Sequence, residues 1–166
     1  MDQLVMTMNN KKEFDENLLR HFINPHNVGT IDQADASVRI HNPVNGYTTD
    51  LYLSIKNNKI IDARFKTYGC TVTIATGSAI TTILKGKHID DITSADNPID
   101  FLEQELKKEL GEVPEKNWHC IPTVVKAVFL ALIAYFEKQH NITLTNTLQD
   151  LVDTITINIE TKIHDL

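Results

Sequence analysis

Two alternating runs on either side of Asn57-Asn58 constrain this chain more than any other feature. Before the pair, Leu51, Leu53 and Ile55 alternate with polar neighbours; after it, Ile61, Ala63 and Phe65 alternate with Asp62, Arg64 and Lys66. Side chains of period two place one set on a core face and the other in water. The short polar link suits a tight hairpin, so Thr49–Lys56 and Lys59–Tyr68 are expected to pair antiparallel. A third candidate, Ser37–Asn42, extends the pair to a three-stranded antiparallel sheet with one wet face.

The rest of the chain reads mainly as helix. Glu13 to Phe22 carries Phe14, Leu18, Leu19 and Phe22 on one face and stops before Asn24-Pro25. Thr71 to Leu84 is ambiguous. Its Thr, Val and Ile content favours strand, while Val72, Ala75, Ala79, Ile80 and Ile83 form a helical stripe ending at Lys85-Gly86-Lys87. Helix is the reading taken. Pro98–Leu110 is bounded by an early proline and by Gly111. From Ile121 to His140, Val124, Val125, Val128, Leu132 and Tyr135 make a continuous apolar face. Pro122 fits a first turn, which puts His119 and Cys120 at that helix's N-terminus. Thr145 to Leu166 has amphipathic helical spacing, with a strand alternative at Thr154–Ile159. The expected fold is α+β: a three-stranded antiparallel sheet packed against a group of helices. A domain over 1–140 carries a helical extension at 141–166, and residues 1–12 read as a polar lead-in.

Composition narrows the function. A net charge of −6 and the lack of a Lys/Arg-rich run argue against a nucleic-acid surface. The start has no basic region followed by an apolar core, and no unbroken apolar run reaches the roughly 18 residues of a membrane span. The 2 cysteines, without a secretory signal, are expected as reduced thiols in a cytoplasmic setting.

Those cysteines carry the chemistry. Gly69 ends the third strand, and Cys70 follows at the mouth of a helix; Cys120 follows His119 at the start of another. A helix N-terminus offers unpaired N–H groups and the positive end of the dipole, so a lowered thiol pKa is expected at both positions. If the two helix ends meet, two sulfurs and an imidazole suit zinc, iron or an iron–sulfur cluster. Buried cysteines that act as plain apolar side chains remain the competing reading.

Several motifs occur in order: Asn24-Pro-His-Asn-Val-Gly29, Asn42-Pro-Val-Asn-Gly46, Asp62-Ala-Arg-Phe-Lys-Thr-Tyr-Gly-Cys70, Lys85-Gly-Lys87 and Val113-Pro-Glu-Lys-Asn-Trp-His-Cys120. This set resembles the U-type iron–sulfur cluster scaffold family, IscU and the N-terminal domain of NifU. The resemblance implies a sheet-and-helix fold and helix for Thr71–Leu84. It places Cys70 on the family's second ligand cysteine and His119-Cys120 on its histidine and third cysteine, the last being a sulfur acceptor. It implies iron, a [2Fe–2S] cluster or zinc at Cys70, His119 and Cys120. The implied partners are a cysteine desulfurase and cluster acceptor proteins or a chaperone, with a homodimer sharing one cluster as a further arrangement. The activity implied is carriage of sulfur and iron, not enzymatic turnover.

The chain departs from the family at one loop. Asn45 stands where the first cysteine is expected, and Tyr47 where an aspartate is expected. A degenerate scaffold that binds a desulfurase or sister scaffold without building clusters is the alternative. His41, just upstream, reads as a solvated histidine, as do His21, His26, His88, His140 and His164. Trp118 reads as a packing anchor or a partner contact, and Val113–Lys116 as a loop before a helix.

Overall fold

The computed structural model describes residues 13–166; the lead-in expected at 1–12 lies outside them. Strands β1 (Ala36–His41), β2 (Thr48–Lys56) and β3 (Lys59–Tyr68) form one antiparallel sheet in the order β1-β2-β3. The helices are α1 (Glu16–Ile23), α2 (Thr71–Leu84), α3 (Ile89–Thr93), α4 (Pro98–Leu110), α5 (Cys120–Lys138) and α6 (Ile142–His164). The α+β class is as expected.

The hairpin turn sits where expected, with Asn57 at φ 51° and Asn58 at φ 59°, a left-handed backbone that asparagine tolerates. The phase of β3 differs from the sequence reading. Ser54 pairs with Asp62 and Ile55 with Ile60, so Ile61 is an extra residue in a bulge. Ile60, Ala63 and Phe65 are therefore buried, while Ile61 is exposed.

Asp15 caps α1 by accepting from the Asn17 N–H at 2.8 Å, which starts the helix later than Glu13. Helix α2 is buried along most of its length. Gly77 makes this possible: a Cβ there would meet the Phe65 ring at 2.4 Å, so only glycine lets α2 lie against β3. The loop Asn24–Gly29 docks on the same strand. The Gly29 N–H donates to the Phe65 carbonyl at 2.8 Å, and the Phe65 N–H donates to the Asn27 carbonyl at 3.0 Å.

His21 is buried, not solvated. One ring nitrogen lies 2.7 Å from Ser78 Oγ and the other 2.9 Å from Glu109 Oε1. Ser78 Oγ also accepts from the His26 N–H at 2.8 Å. The knot ties α1, α2 and α4 together. Ser78 is fully buried, so the hydroxyl is structural despite its histidine neighbour.

Residues 115–138 are long and apolar enough, by length and composition, to cross a membrane. Here 72% of that apolar window is buried, because α5 runs through the core between the sheet and the other helices. The tail is one helix from Ile142 to His164, so the strand alternative at 154–159 fails. Leu148, Val152, Ile155 and Ile159 are its buried face, packed on α5. Their 3.6-residue period outweighs the β-branched content, since packing decides where propensity is weak.

Candidate functional site

Cys70 is the N-cap of α2 and Cys120 the first residue of α5; both are free thiols. Thr73, one turn along α2, joins them. Its Oγ1 lies 3.3 Å from Cys70 Sγ and 4.0 Å from Cys120 Sγ. The absence of a side chain at Gly69 leaves room for this, because a Cβ there would meet Thr73 at 2.7 Å. The Asn117 amide donates to Cys70 Sγ at 3.8 Å from a one-turn 3-10 segment, Glu115–Asn117. Val113–Lys116 thus includes part of a regular turn, pinned by Lys116 to Glu13 at 2.5 Å.

The two thiols differ in chemistry. Partial burial works against the Cys70 thiolate, but the Thr73 hydroxyl and the backbone N–H groups of Thr73 and Val72 outweigh it. The pKa is held below the usual thiol value. Cys120 departs from the expectation of a lowered pKa. It is 3% exposed, and burial, with Cys70 close by, pushes its thiol up to about 12. A place in the first turn of α5 does not compensate for the loss of water.

His119 is buried at the N-cap of α5, and burial holds its pKa below the usual histidine value, against a backbone hydrogen bond to Lys116. Its Nδ1 lies 3.8 Å from Cys120 Sγ and 2.7 Å from Asn42 Nδ2. The sequence reading did not single out Asn42. Trp118 stands edge-on to the His119 ring at 5.7 Å and carries Lys162 of α6 over its own face at 4.5 Å. It also lines a cleft of about 710 Å³ with Glu103, Lys107, Val113, Ile121 and Lys162.

The loop between β1 and β2 completes the neighbourhood. Asn45 is exposed, and its Oδ1 accepts from the Tyr47 N–H at 3.0 Å, which shapes the turn. Tyr47 stacks edge-on against Tyr68 at 6.1 Å. His41 is exposed and joins no cluster of ligands. Asn42, Tyr47, Thr73, Cys120 and Thr123 line a cavity of about 10 Å³, too small for more than a single water. Thr123 Oγ1 and Asn117 Oδ1 are buried without a partner. Among the described residues no three His, Cys, Asp or Glu side chains converge closely enough to hold a metal ion. The expected trio are neighbours, with soft donors that suit iron or zinc, but they are not in coordinating positions.

The structure thus sets two free thiols and an imidazole at two helix starts of a small α+β fold. The family model "NifU-like N terminal domain" matches residues 13–142. The iron–sulfur cluster assembly scaffold protein IscU 1 of Archaeoglobus fulgidus is 33% identical over 129 residues, 78% of this chain and 80% of its own. The protein named iron–sulfur cluster assembly enzyme IscU in Drosophila melanogaster is 35% identical over 130 residues, 76% of this chain and 80% of its own. A solved structure of a scaffold candidate for the SUF system from Fervidobacterium islandicum matches at TM-score 0.55 and 18% identity, over 75% of this chain and 99% of its own; it shares the fold. The chain belongs to the NifU-like N-terminal domain family.

Proposed function

We propose that this protein is an iron–sulfur cluster assembly scaffold that holds iron or a nascent [2Fe–2S] cluster at Cys70, His119 and Cys120, with zinc as an alternative occupant. The observation that carries this reading is the Thr73 hydroxyl within reach of both sulfurs, with His119 Nδ1 3.8 Å from Cys120 Sγ. Family membership supports the same reading. The cluster is cargo, so the protein is a carrier, and its work is in the cytoplasm.

Cys70 is the thiol placed to react first. A cysteine desulfurase would present a persulfide; the Cys70 thiolate attacks its outer sulfur, the S–S bond breaks, and the desulfurase thiolate leaves. Cys120, the acceptor implied by the family resemblance, takes that role only once water and partner reach it. Val44, on the loop between β1 and β2, and Tyr68, two residues before Cys70, are exposed apolar side chains that suit the desulfurase or a cluster acceptor. Residues 141–166 form an extension of the domain, α6, that braces the site-bearing α5.

The test is anaerobic reconstitution with iron, sulfide and a cysteine desulfurase, followed by visible spectra. A cluster chromophore is expected, lost in Cys70→Ser and in Cys120→Ser. Asn45→Cys combined with Tyr47→Asp restores a thiolate and a carboxylate to the open loop, and longer cluster retention is expected. No chromophore in the wild type, or one that survives both serine variants, would overturn the reading.

A further inference from the structure

Asn42 links two parts of the site that are 77 residues apart in the chain. It is 4% exposed. Its backbone N–H donates to the Tyr47 carbonyl at 2.7 Å, and its carbonyl accepts from the Gly46 N–H at 2.8 Å, which closes the 42–47 loop. Its side-chain Oδ1 accepts from the Val44 N–H at 2.9 Å. A backbone N–H can only donate, so the amide atom facing Val44 is the oxygen, and the group 2.7 Å from His119 Nδ1 is the NH2. Nδ1 therefore accepts. In a neutral ring the proton then sits on Nε2.

Nδ1 is also the nitrogen that faces Cys120 Sγ. An ion held by the sulfurs would need that lone pair, and the amide occupies it. We propose that Asn42 is a latch on His119: it holds Nδ1 in the metal-free protein, and ligation through Nδ1 requires the latch to open. The inference rests on the reading of His119 as a ligand. The latch also couples the His119 ring to the loop that carries Asn45 and Tyr47, because the same amide shapes both. Asn42 and Tyr47 of that loop line the same small cavity as Cys120. Asn42 acts here as a positioning residue.

Two measurements on the full-length protein test this. Nitrogen NMR of the metal-free protein with labelled histidine should find the His119 proton on Nε2. In Asn42→Asp it should move to Nδ1, since a carboxylate only accepts. Zinc titration against a competing chelator should find Asn42→Ala binding roughly fivefold more tightly than wild type, the effect of removing one competing hydrogen bond. That gain should vanish in the His119→Ala background. A wild-type proton on Nδ1, or unchanged zinc affinity in a folded Asn42→Ala, would overturn the latch alone. Zinc binding that His119→Ala leaves untouched would overturn the ligand reading and the latch with it. If Asn42→Ala does not fold, the proton position in Asn42→Asp decides.

Discussion

Two clusters of polar side chains at helix junctions, both among the described residues, are built to opposite rules. In the knot of His21, Ser78 and Glu109, both imidazole nitrogens are engaged and the serine oxygen is shared with a backbone N–H. In the cysteine site the contacts to sulfur run from 3.3 to 4.0 Å, Asn42 holds His119 Nδ1 at 2.7 Å, and two oxygens, Asn117 Oδ1 and Thr123 Oγ1, lack a protein partner. A satisfied buried network fixes a structure; an incompletely satisfied one leaves polar atoms that water or a ligand can reach. The comparison separates a nucleophile-like constellation whose role is structural from a plainer pair of thiols, the proposed site.

The largest effect that could break this comparison is in thiol reactivity. Cys70 sits below the usual thiol pKa and Cys120 is pushed up to about 12. At neutral pH the Cys70 thiolate fraction should far exceed that of Cys120, and burial of Cys120 adds to the difference in reactivity. Alkylation followed by peptide mass spectrometry should label Cys70 at least 100-fold faster. Equal labelling would mean that Cys120 is open to solvent. The same shift gives a sign for stability. The folded state keeps the Cys120 proton where the unfolded chain has lost it, so stability falls as pH climbs from the ordinary thiol range toward about 12. Denaturant melts should trace that fall, and Cys120→Ala should flatten it.

The knot comes next. His21→Ala leaves the Ser78 hydroxyl without its imidazole partner and Glu109 without its cation or donor, and should cost about 3 kcal/mol. The Cys70 labelling rate should stay within twofold, since the knot does not touch the thiols. A large change in labelling would show that the two clusters are one coupled unit.

Gly69→Ala probes the cysteine site alone. Its Cβ would press on Thr73 at 2.7 Å and move the hydroxyl off Cys70. A cost of about 1–2 kcal/mol is expected from the crowding. Cys70 alkylation should slow severalfold, because its pKa rises when the Thr73 hydrogen bond weakens. Unchanged alkylation would take Thr73 out of thiolate stabilisation.

Local pattern made much of this legible. The hairpin showed in two alternating runs around Asn57-Asn58, α2 in its stripe, and the starts of α2 and α5 in Gly69 and Pro122. The phase of β3 was not legible, because the bulge at Ile61 involves neither glycine nor proline. Helix α3 is too short, at 5 residues, to display a period. Remote pairing was also hidden. Ser78 is 57 residues from His21 and Glu109 is 88, so nothing local marks His21 as buried. Thr73 could have been found, since one turn after a helix start lies on the same face as the cap. Asn42 could not, because an asparagine before a proline reads as turn chemistry wherever its side chain points.

The smallest single effect belongs to the sharpest contrast, because loss of a buried hydroxyl should cost stability in the knot and none in the cysteine site. Ser78→Ala removes a buried hydroxyl that His21 and the His26 N–H both use, and a loss of about 2 kcal/mol is expected. Thr123→Val removes a buried hydroxyl that has no partner and keeps the side chain's shape. That change should be neutral or stabilise by up to about 1 kcal/mol. Paired denaturant melts read both. If Thr123→Val destabilises as much as Ser78→Ala, a water in the small cavity beside Cys120 already satisfies that oxygen. The cysteine site would then be as complete as the knot, and the contrast between them would fail.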